Sequence, residues 1–249
     1  MDPERVTAGT PRPVLQPVMT QRWTDLTYLH WPVDPALLEP TMPPGTRVDT
    51  AGGAAWVGLI PFVMRDVRLR VPGTARPALR PPPPLGAFCE TNVRTYSVGP
   101  DGRRGVVFLS LDAERALPVL VARTVFALPY LWSRMRCERD GDLLTYTCER
   151  RVPGPRGTRS RLTVRPGAPV EPTALDLFLT ARWGLHVRRG RRTAYGPMDH
   201  GPWPLHSAEL LDLDDDLVAA AGLPRPAGPP RVLFSPGVDV RVGWLERAT

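Results

Sequence analysis

Proline and glycine interrupt this chain at short intervals and leave no room for long helices. The 249 residues include 32 Pro and 22 Gly, and Pro breaks a helix because it lacks an amide donor and clashes with the preceding turn. Between these breaks lie short segments in which apolar and polar residues alternate, as from Trp23 to Trp31. Short alternating segments separated by turns are typical of antiparallel barrels and sandwiches. The sequence therefore predicts a mainly β fold with short helical insertions.

The same pattern sets the expected organisation of the chain. We predict a flexible Pro-rich tail over residues 1–20 and a single domain over residues 21–249. Residues 151–172, which are rich in Pro, Gly and Arg, are predicted to form a loop. Two strands, 231–235 and 238–244, are predicted on either side of Pro236-Gly237, and a short helix over 214–221.

The positive charge of the chain does not by itself indicate a nucleic-acid partner. The net charge is +7, and all 32 cationic residues are Arg, as expected when a GC-rich genome disfavours Lys codons. Two Arg-rich stretches, 150–165 and 188–192, are predicted to be solvated loops. Aromatic residues do not alternate with this charge, as they do in many single-strand binders. Weak nucleic-acid binding through the Arg-rich loops therefore remains the least favoured function.

The absence of Lys excludes two kinds of chemistry. No side chain can form a Schiff base with a carbonyl substrate or with pyridoxal phosphate. A Walker A loop would lack the Lys that contacts the nucleotide phosphates. Amine-based decarboxylation and ordinary P-loop hydrolysis are thus ruled out by composition alone.

Other features favour a cytoplasmic protein without a membrane anchor. No apolar run approaches the ~18 residues needed to span a bilayer, and residues 1–20 lack the apolar stretch of a signal peptide. The cysteines, Cys89, Cys137 and Cys148, are predicted to be reduced. His200 and His206 form only a weak candidate metal pair, so we expect no metal and no cofactor. The oligomeric state stays open, with a homo-oligomer among the alternatives.

One predicted strand carries a row of polar side chains. In the segment FCETNVRTY, Glu90, Asn92, Arg94 and Tyr96 fall on one face because successive side chains of a strand alternate in direction. Such a row is either a solvated face or the lining of a polar cavity. If it faces inward, burial would raise the pKa of Glu90 and Arg94 would lower it. The sequence leaves both alternatives open.

The order of several blocks resembles the YqjF-like family of bacterial proteins. These blocks, spread over about residues 20–245, are LTYLHWPVDPALLEPTMPPGTRVDTAGGAAWVGLIPF, FCETNVRTY, GVVFLSLDA, LPYLWSRM, LDLFLTARW and HGPWPL. That family in turn resembles the acetoacetate decarboxylase superfamily. The resemblance implies a cone-shaped, largely antiparallel β-barrel around a small-molecule cavity.

The resemblance also implies where the site lies. Residues 122–131 match the stretch that carries the Schiff-base lysine in the decarboxylases; Arg123 and Pro129 are retained, and Tyr130 stands in place of that lysine. Glu90 matches the cavity glutamate of the decarboxylases. The barrel is therefore expected to be shared, whereas the amine chemistry is not.

Three functions follow from these observations. The first is a cavity for a small anionic or carbonyl-bearing metabolite, either for binding alone or as a lysine-independent lyase, hydratase or isomerase. Glu90 and Tyr130 would transfer protons, and the binding residues would be His30, Asn92, Arg94, Tyr96 and Arg123. The second is a non-catalytic sensing or protein-interaction module whose barrel is packed by Trp56, Phe62, Phe108 and Phe126. The third is the nucleic-acid binding described above.

Overall fold

The strands of this protein form one continuous sheet. The computed structural model describes residues 1–70, 87–115 and 128–248, and the sheet contains thirteen strands in these residues. The strands are β1 Met19–Val33, β2 Arg47–Val48, β3 Ala55–Leu69, β4 Phe88–Val98, β5 Arg104–Ala113, β6 Tyr130–Asp140, β7 Leu143–Val152, β8 Arg159–Pro169, β9 Gly184–Arg189, β10 Arg192–His200, β11 His206–Asp215, β12 Arg231–Val242 and β13 Glu246–Arg247. The same described residues also contain three short α-helices: α1 Pro35–Leu38, α2 Ala174–Thr180 and α3 Leu217–Ala220. The predicted mainly β fold is confirmed.

Three local predictions were wrong. Residues Arg159–Pro169, expected in a loop, form strand β8 between β7 and β11. The two expected terminal strands are one strand, β12, because the chain continues through Pro236 and Gly237 pairs with Thr24 of β1 instead of turning. The helix expected over 214–221 begins at Leu217, since β11 extends through Asp215. None of the helices in the described ranges has the length and apolar character needed to span a bilayer.

The sheet closes into two rings that share five strands. Strands β5, β6, β7, β8, β11, β12, β1, β3 and β4 form a closed nine-stranded barrel. Strands β9 and β10 make a second connection between β5 and β12, through the pairs Val106–Leu185 and Met198–Val242. The shared strands are therefore β12, β1, β3, β4 and β5. Each of them turns one face toward the interior of the nine-stranded barrel and the other face toward the interior of the second ring.

Strand alternation assigns each ring its own interior. Leu29, Leu59 and Val93, from β1, β3 and β4, are buried in one apolar cluster with Leu144 of β7 and Leu162 of β8. This cluster fills the nine-stranded barrel. The neighbouring side chains in sequence point the other way, toward β9 and β10, because successive side chains of a strand alternate between its two faces.

A buried ion pair joins the strands of the nine-stranded barrel. Arg150 of β7 donates to both carboxylate oxygens of Asp112 of β5, with the shorter contact 2.7 Å, and Ser133 of β6 donates to the same carboxylate. Arg150 is only 2% exposed. Its predicted place in a solvated loop was therefore wrong. The two parallel hydrogen bonds of this bidentate pair satisfy donors of the guanidinium group that are buried away from water.

A bulge in β1 keeps its apolar residues on the cavity side of the sheet. Asp25 adopts a positive φ of 51°, and the pairing of β1 with β3 shifts register between Thr24 and Leu29. In a regular strand, residues three apart lie on opposite faces. Because the bulge adds one residue, Trp23 and Leu26 lie on the same face. Both residues line the cavity described below.

Residues 1–18 lie against the barrel, although we predicted a flexible tail over 1–20. The Glu4 carboxylate accepts a hydrogen bond from the backbone amide of Arg104, and the Glu4 amide donates to the Gly102 carbonyl. Further along, Val14 is buried and its amide donates to the Asp199 carboxylate. Strand β1 already begins at Met19. The segment thus contacts the end of the ring that contains β9 and β10.

Candidate functional site

The second ring encloses a cavity of about 250 Å³. Strands β1, β3, β4, β5, β9, β10 and β12 all contribute to its wall, together with Leu128 and Tyr130. Most of the wall is apolar, as illustrated by Phe62 of β3 and Met198 of β10. The residues of β7, β8 and β11 do not line it, because they belong to the packed barrel on the other side of the shared strands.

Three members of the predicted polar row on β4 line this cavity. Glu90, Asn92 and Arg94 are 3%, 4% and 8% exposed, respectively. Val93 points to the opposite side and packs in the nine-stranded barrel. The alternation of β4 therefore places carboxyl, amide and guanidinium groups in one enclosed space. The row is not a solvated face.

Glu90 forms a hydrogen-bonded pair with Tyr130. The Tyr130 hydroxyl donates to Glu90 Oε2 at 2.8 Å, and both side chains line the cavity. Burial raises the pKa of Glu90 to about 8, and the Tyr130 hydrogen bond offsets only part of this effect. Desolvation is thus the largest influence on the pKa of Glu90, and the influence that opposes it is the Tyr130 hydrogen bond rather than the expected Arg94. At neutral pH the Glu90 carboxyl holds its proton.

Arg94 is a buried cation without an ion pair in the described part of the chain. Its guanidinium donates one hydrogen bond, from Nη2 to the carbonyl of Leu179 at 3.1 Å. The Tyr28 and Tyr96 rings flank it, each with its centroid 5.7 Å from Cζ. Its Nε is buried and makes no hydrogen bond within the described ranges. A buried guanidinium in this state is a ready binding group for a carboxylate.

Arg182 is a second cation on the cavity wall, and we did not predict it. Its Nη1 donates to Asp49 at 2.6 Å, and its Nε donates to the Phe178 carbonyl at 2.8 Å. Asp49 also forms an ion pair with Arg104. One carboxylate therefore serves two guanidinium groups, and the cavity wall keeps a surplus of positive charge. Arg182 follows helix α2 directly, and nothing in its sequence position indicates that it meets β4.

His200, at the end of β10, also lines the cavity. Its ring lies between Trp183 and Trp203, with centroid distances of 4.5 and 4.7 Å, and its Nδ1 is 2.6 Å from the Gly201 carbonyl. The sequence paired His200 with His206 as a weak metal site. His206 lies on β11, outside the cavity, so the two histidines belong to different environments.

Tyr96 and His30 lie behind the cavity wall, although both were predicted to bind substrate. The Tyr96 hydroxyl donates to the Leu179 carbonyl at 2.6 Å, and His30 Nε2 is 2.6 Å from the same hydroxyl. Since a phenol has one proton, His30 Nε2 must donate to it. Both side chains are buried and neither is a lining residue. They support the end of α2, where Arg94 is bound.

Two further predicted residues fall in a part of the chain that the structure does not describe. Arg123, predicted to bind substrate, and Phe126, predicted to pack a filled barrel, lie outside the described residues. Phe62 and Phe108, from the same predicted packing group, line the open cavity instead of closing it, and Trp56 is not part of the wall.

The sequence matches one family model over most of its length. The DUF2071 model, described as an uncharacterized conserved protein, matches residues 20–239. The uncharacterized protein YqjF of Bacillus subtilis (strain 168) is 34% identical over 230 residues, which cover 90% of this chain and 89% of that protein.

The fold is similar to that of solved acetoacetate decarboxylase-like structures. The acetoacetate decarboxylase of Legionella pneumophila aligns with a TM-score of 0.62 and 13% identity, covering 96% of this chain and 92% of that chain. The enduracididine biosynthesis enzyme MppR, complexed with pyruvate, aligns with a TM-score of 0.60 and 15% identity, covering 96% and 93%. At these identities the likeness shows the fold alone.

Proposed function

This chain belongs to the DUF2071 family, as its resemblance to YqjF-like proteins predicted, and from that premise we propose that its cavity binds a small carboxylate with a carbonyl group. Arg94 holds the carboxylate, and Glu90 with Tyr130 exchanges a proton with the carbonyl end. The reaction class is a lysine-independent isomerase, hydratase or lyase. The observation that carries the proposal is the buried Arg94, which forms no ion pair with the described residues, in the same cavity as the hydrogen-bonded pair of Glu90 and Tyr130.

The charge of the cavity supports an anionic ligand. Glu90 is neutral at pH 7 because burial raises its pKa to about 8, and the negative charge of Asp49 is shared by Arg104 and Arg182. Arg94 therefore has no anionic partner among the described residues. An unpaired charge in a low-dielectric site is costly, and a ligand carboxylate removes that cost by forming two parallel hydrogen bonds.

The size of the cavity supports a small ligand. Sites for drug-sized molecules have volumes of roughly 300–1,000 Å³, and this cavity holds about 250 Å³. The apolar wall, including Phe62 and Met198, fits the carbon skeleton of such a ligand. A protein of this fold, MppR, has been solved in complex with pyruvate, which belongs to the proposed ligand class.

The Glu90–Tyr130 pair supports proton transfer at the carbonyl end. A carboxyl group that keeps its proton at neutral pH can donate it to a carbonyl oxygen, and its pKa lies near the working pH, where acid–base catalysis is most effective. Without a lysine, the carbonyl is not converted to an imine but is polarised by hydrogen bonding. The proposal requires no metal or cofactor, and we place this activity in the cytoplasm.

A binding experiment tests the proposal. Thermal unfolding is measured with pyruvate, acetoacetate and acetate, and with acetone as the uncharged analogue. A ligand present at 100 times its Kd stabilises the folded state by about 2.7 kcal/mol. We expect the carboxylates to raise Tm in the wild type and in the Arg136→Gln variant, whose side chain is 71% exposed outside the cavity. We expect no such shift in Arg94→Gln.

Isothermal titration of acetoacetate against acetone provides a second measurement that does not depend on the folding of a variant. Acetoacetate is expected to bind to the wild type and acetone is not. Equal affinity for both, or an unchanged Tm shift in a folded Arg94→Gln variant, would contradict carboxylate recognition by Arg94. Binding without any proton exchange would instead favour the non-catalytic sensing function.

A further inference from the structure

The hydrogen bond of His200 fixes which of its ring nitrogens carries the proton. Nδ1 lies 2.6 Å from the Gly201 carbonyl, and a carbonyl oxygen can only accept a hydrogen bond. Nδ1 must therefore be the protonated nitrogen of the neutral ring. Nε2 is left with a free lone pair, which can accept a proton or a hydrogen bond.

The surroundings of His200 keep its ring neutral. Burial lowers its pKa, an effect opposed by the Gly201 hydrogen bond and by Asp199, and reinforced by Arg94. The rings of Trp183 and Trp203 both contact the imidazole, with centroid distances of 4.5 and 4.7 Å, and bury it. The Asp199 carboxylate is already bound by Arg241 at 2.6 Å. Tryptophan packing and the neighbouring cation thus maintain the basic form.

The cavity consequently contains two titratable groups in opposite states. Glu90, on β4, holds a proton, whereas His200 Nε2, on β10, lacks one. Both residues line the same cavity, together with Arg94. A small ligand bound by Arg94 meets a proton donor and a proton acceptor without either group first changing its protonation state.

From this juxtaposition, and resting on the proposed function, we propose that His200 is the general base of the cavity and that the substrate is a carbonyl-bearing carboxylate with a hydrogen on the carbon next to its carbonyl. Arg94 binds the carboxylate. His200 Nε2 takes the proton from that carbon as the C–H bond breaks, and its electron pair forms the C=C bond. The carbonyl π pair takes the proton of Glu90 and becomes the enol hydroxyl.

The step is balanced without a co-reactant. One proton leaves carbon for His200 and one leaves Glu90 for oxygen, so the ligand changes only from its keto to its enol form. The reverse step returns both protons, and exchange with solvent water resets the two side chains. Simultaneous protonation of the oxygen prevents a full enolate charge from building up, which is the task that an imine performs where a lysine is present.

Hydrogen–deuterium exchange tests this proposal. Pyruvate is incubated with the protein in D2O, and loss of its methyl signal is followed by proton NMR. We expect the wild type to accelerate exchange and His200→Gln to reduce the rate by about 10²- to 10⁴-fold, the usual contribution of a positioned acid or base. His206→Gln is the matched control, because His206 makes a similar Nδ1 contact to the Gly167 carbonyl outside the cavity. Its rate is expected to equal that of the wild type.

Binding of pyruvate is measured by thermal shift in the same samples, so that the two proposals can fail separately. If pyruvate binds to both proteins and His200→Gln exchanges as fast as the wild type, or if the wild type binds without exchange, His200 is not the base and the binding function stands. If pyruvate does not bind to the wild type, the proposed binding function fails and the role of His200 fails with it.

Nitrogen-15 NMR of the wild type provides a test that no folding defect can affect. We expect the His200 signals of a neutral ring with the proton on Nδ1. A ring protonated at Nε2 would overturn the proposal.

Discussion

The burial of Glu90 makes the stability of the fold depend on pH in the neutral range. In the folded protein its pKa is about 8, whereas the unfolded chain has the ordinary value near 4.3. From about pH 4.3 to pH 8 the unfolded state therefore releases a proton that the folded state keeps. The contribution of Glu90 to stability is therefore fully present below the unfolded pKa and is lost as the pH rises to the folded pKa.

Replacement of Glu90 by Gln removes this pH dependence. Between pH 5 and pH 9 the wild type is expected to lose about 4 kcal/mol more free energy of unfolding than Glu90→Gln. Urea unfolding of both proteins at the two pH values measures the difference. The Glu90→Gln variant supplies the background from all other titratable groups, since these are common to the two proteins. Parallel pH profiles would show that Glu90 titrates normally in the fold.

At the scale of single residues, the sequence predicted the part of the site that lies on one strand. Glu90, Asn92 and Arg94 follow from alternation alone, because each second residue of a strand shares a face. Arg182 and His200 lie almost 90 residues or more beyond this row and reach the cavity only through the pairing of β9 and β10 with the shared strands. No local pattern carries that information.

Among the elements, β12 depends on close contact with β1. Gly237 has a φ of +130° and pairs with Thr24, and a Cβ placed on it would lie 2.0 Å from the carbonyl oxygen of Trp23. This atom belongs to the backbone of a central strand and cannot move aside without breaking the pairing. The glycine therefore permits β12 to continue past Pro236 as one strand.

Gly237→Ala is expected to destabilise the protein by about 3 kcal/mol or more, because both the backbone conformation and the space are unsuitable for a side chain. Gly141→Ala is the matched control: Gly141 also has a positive φ, of +58°, but lies in the β6–β7 turn with nothing within 4 Å. Its cost is expected to be about 1 kcal/mol. Chemical denaturation compares them, and equal losses would contradict a steric role for Gly237.

The elements that sequence reasoning missed are those whose formation depends on distant partners. Pro, Gly and Arg in residues 151–172 favoured a loop, yet Ser160, Leu162 and Val164 are buried alternately along β8. Strands β7 and β11 pair with the two edges of β8 and supply the hydrogen bonds that a Pro-rich segment could not obtain alone. Tertiary pairing here overrides local preference.

At the scale of the whole molecule, the two rings cannot come apart because they share five strands. Loss of β1, β3, β4, β5 or β12 would open the packed barrel and the cavity together. The resemblance predicted the barrel, but the division of those strands between two interiors follows from the branching of β5 and β12, which periodicity does not reveal.

We therefore expect one cooperative unfolding transition. Trp31 reports on the packed barrel, where it is buried, and Trp203 reports on the cavity side, where it stacks with Trp23. The signal of each tryptophan is the difference between the fluorescence of the wild type and that of the Trp31→Phe or Trp203→Phe variant. Both signals are expected to follow the same unfolding curve as circular dichroism. Separate midpoints for the two tryptophan signals would mean that the rings unfold independently.

The side chains of β4 alternate between the packed barrel and the cavity, and this alternation affects how such proteins can diversify. Val93 packs in the nine-stranded barrel, whereas Glu90, Asn92 and Arg94 line the cavity. Substitutions at the even positions can alter chemistry without repacking the hydrophobic interior, so mutational drift and selection can explore new substrates at little risk to folding. A lineage built on this strand can lose one reaction and acquire another while its architecture is preserved.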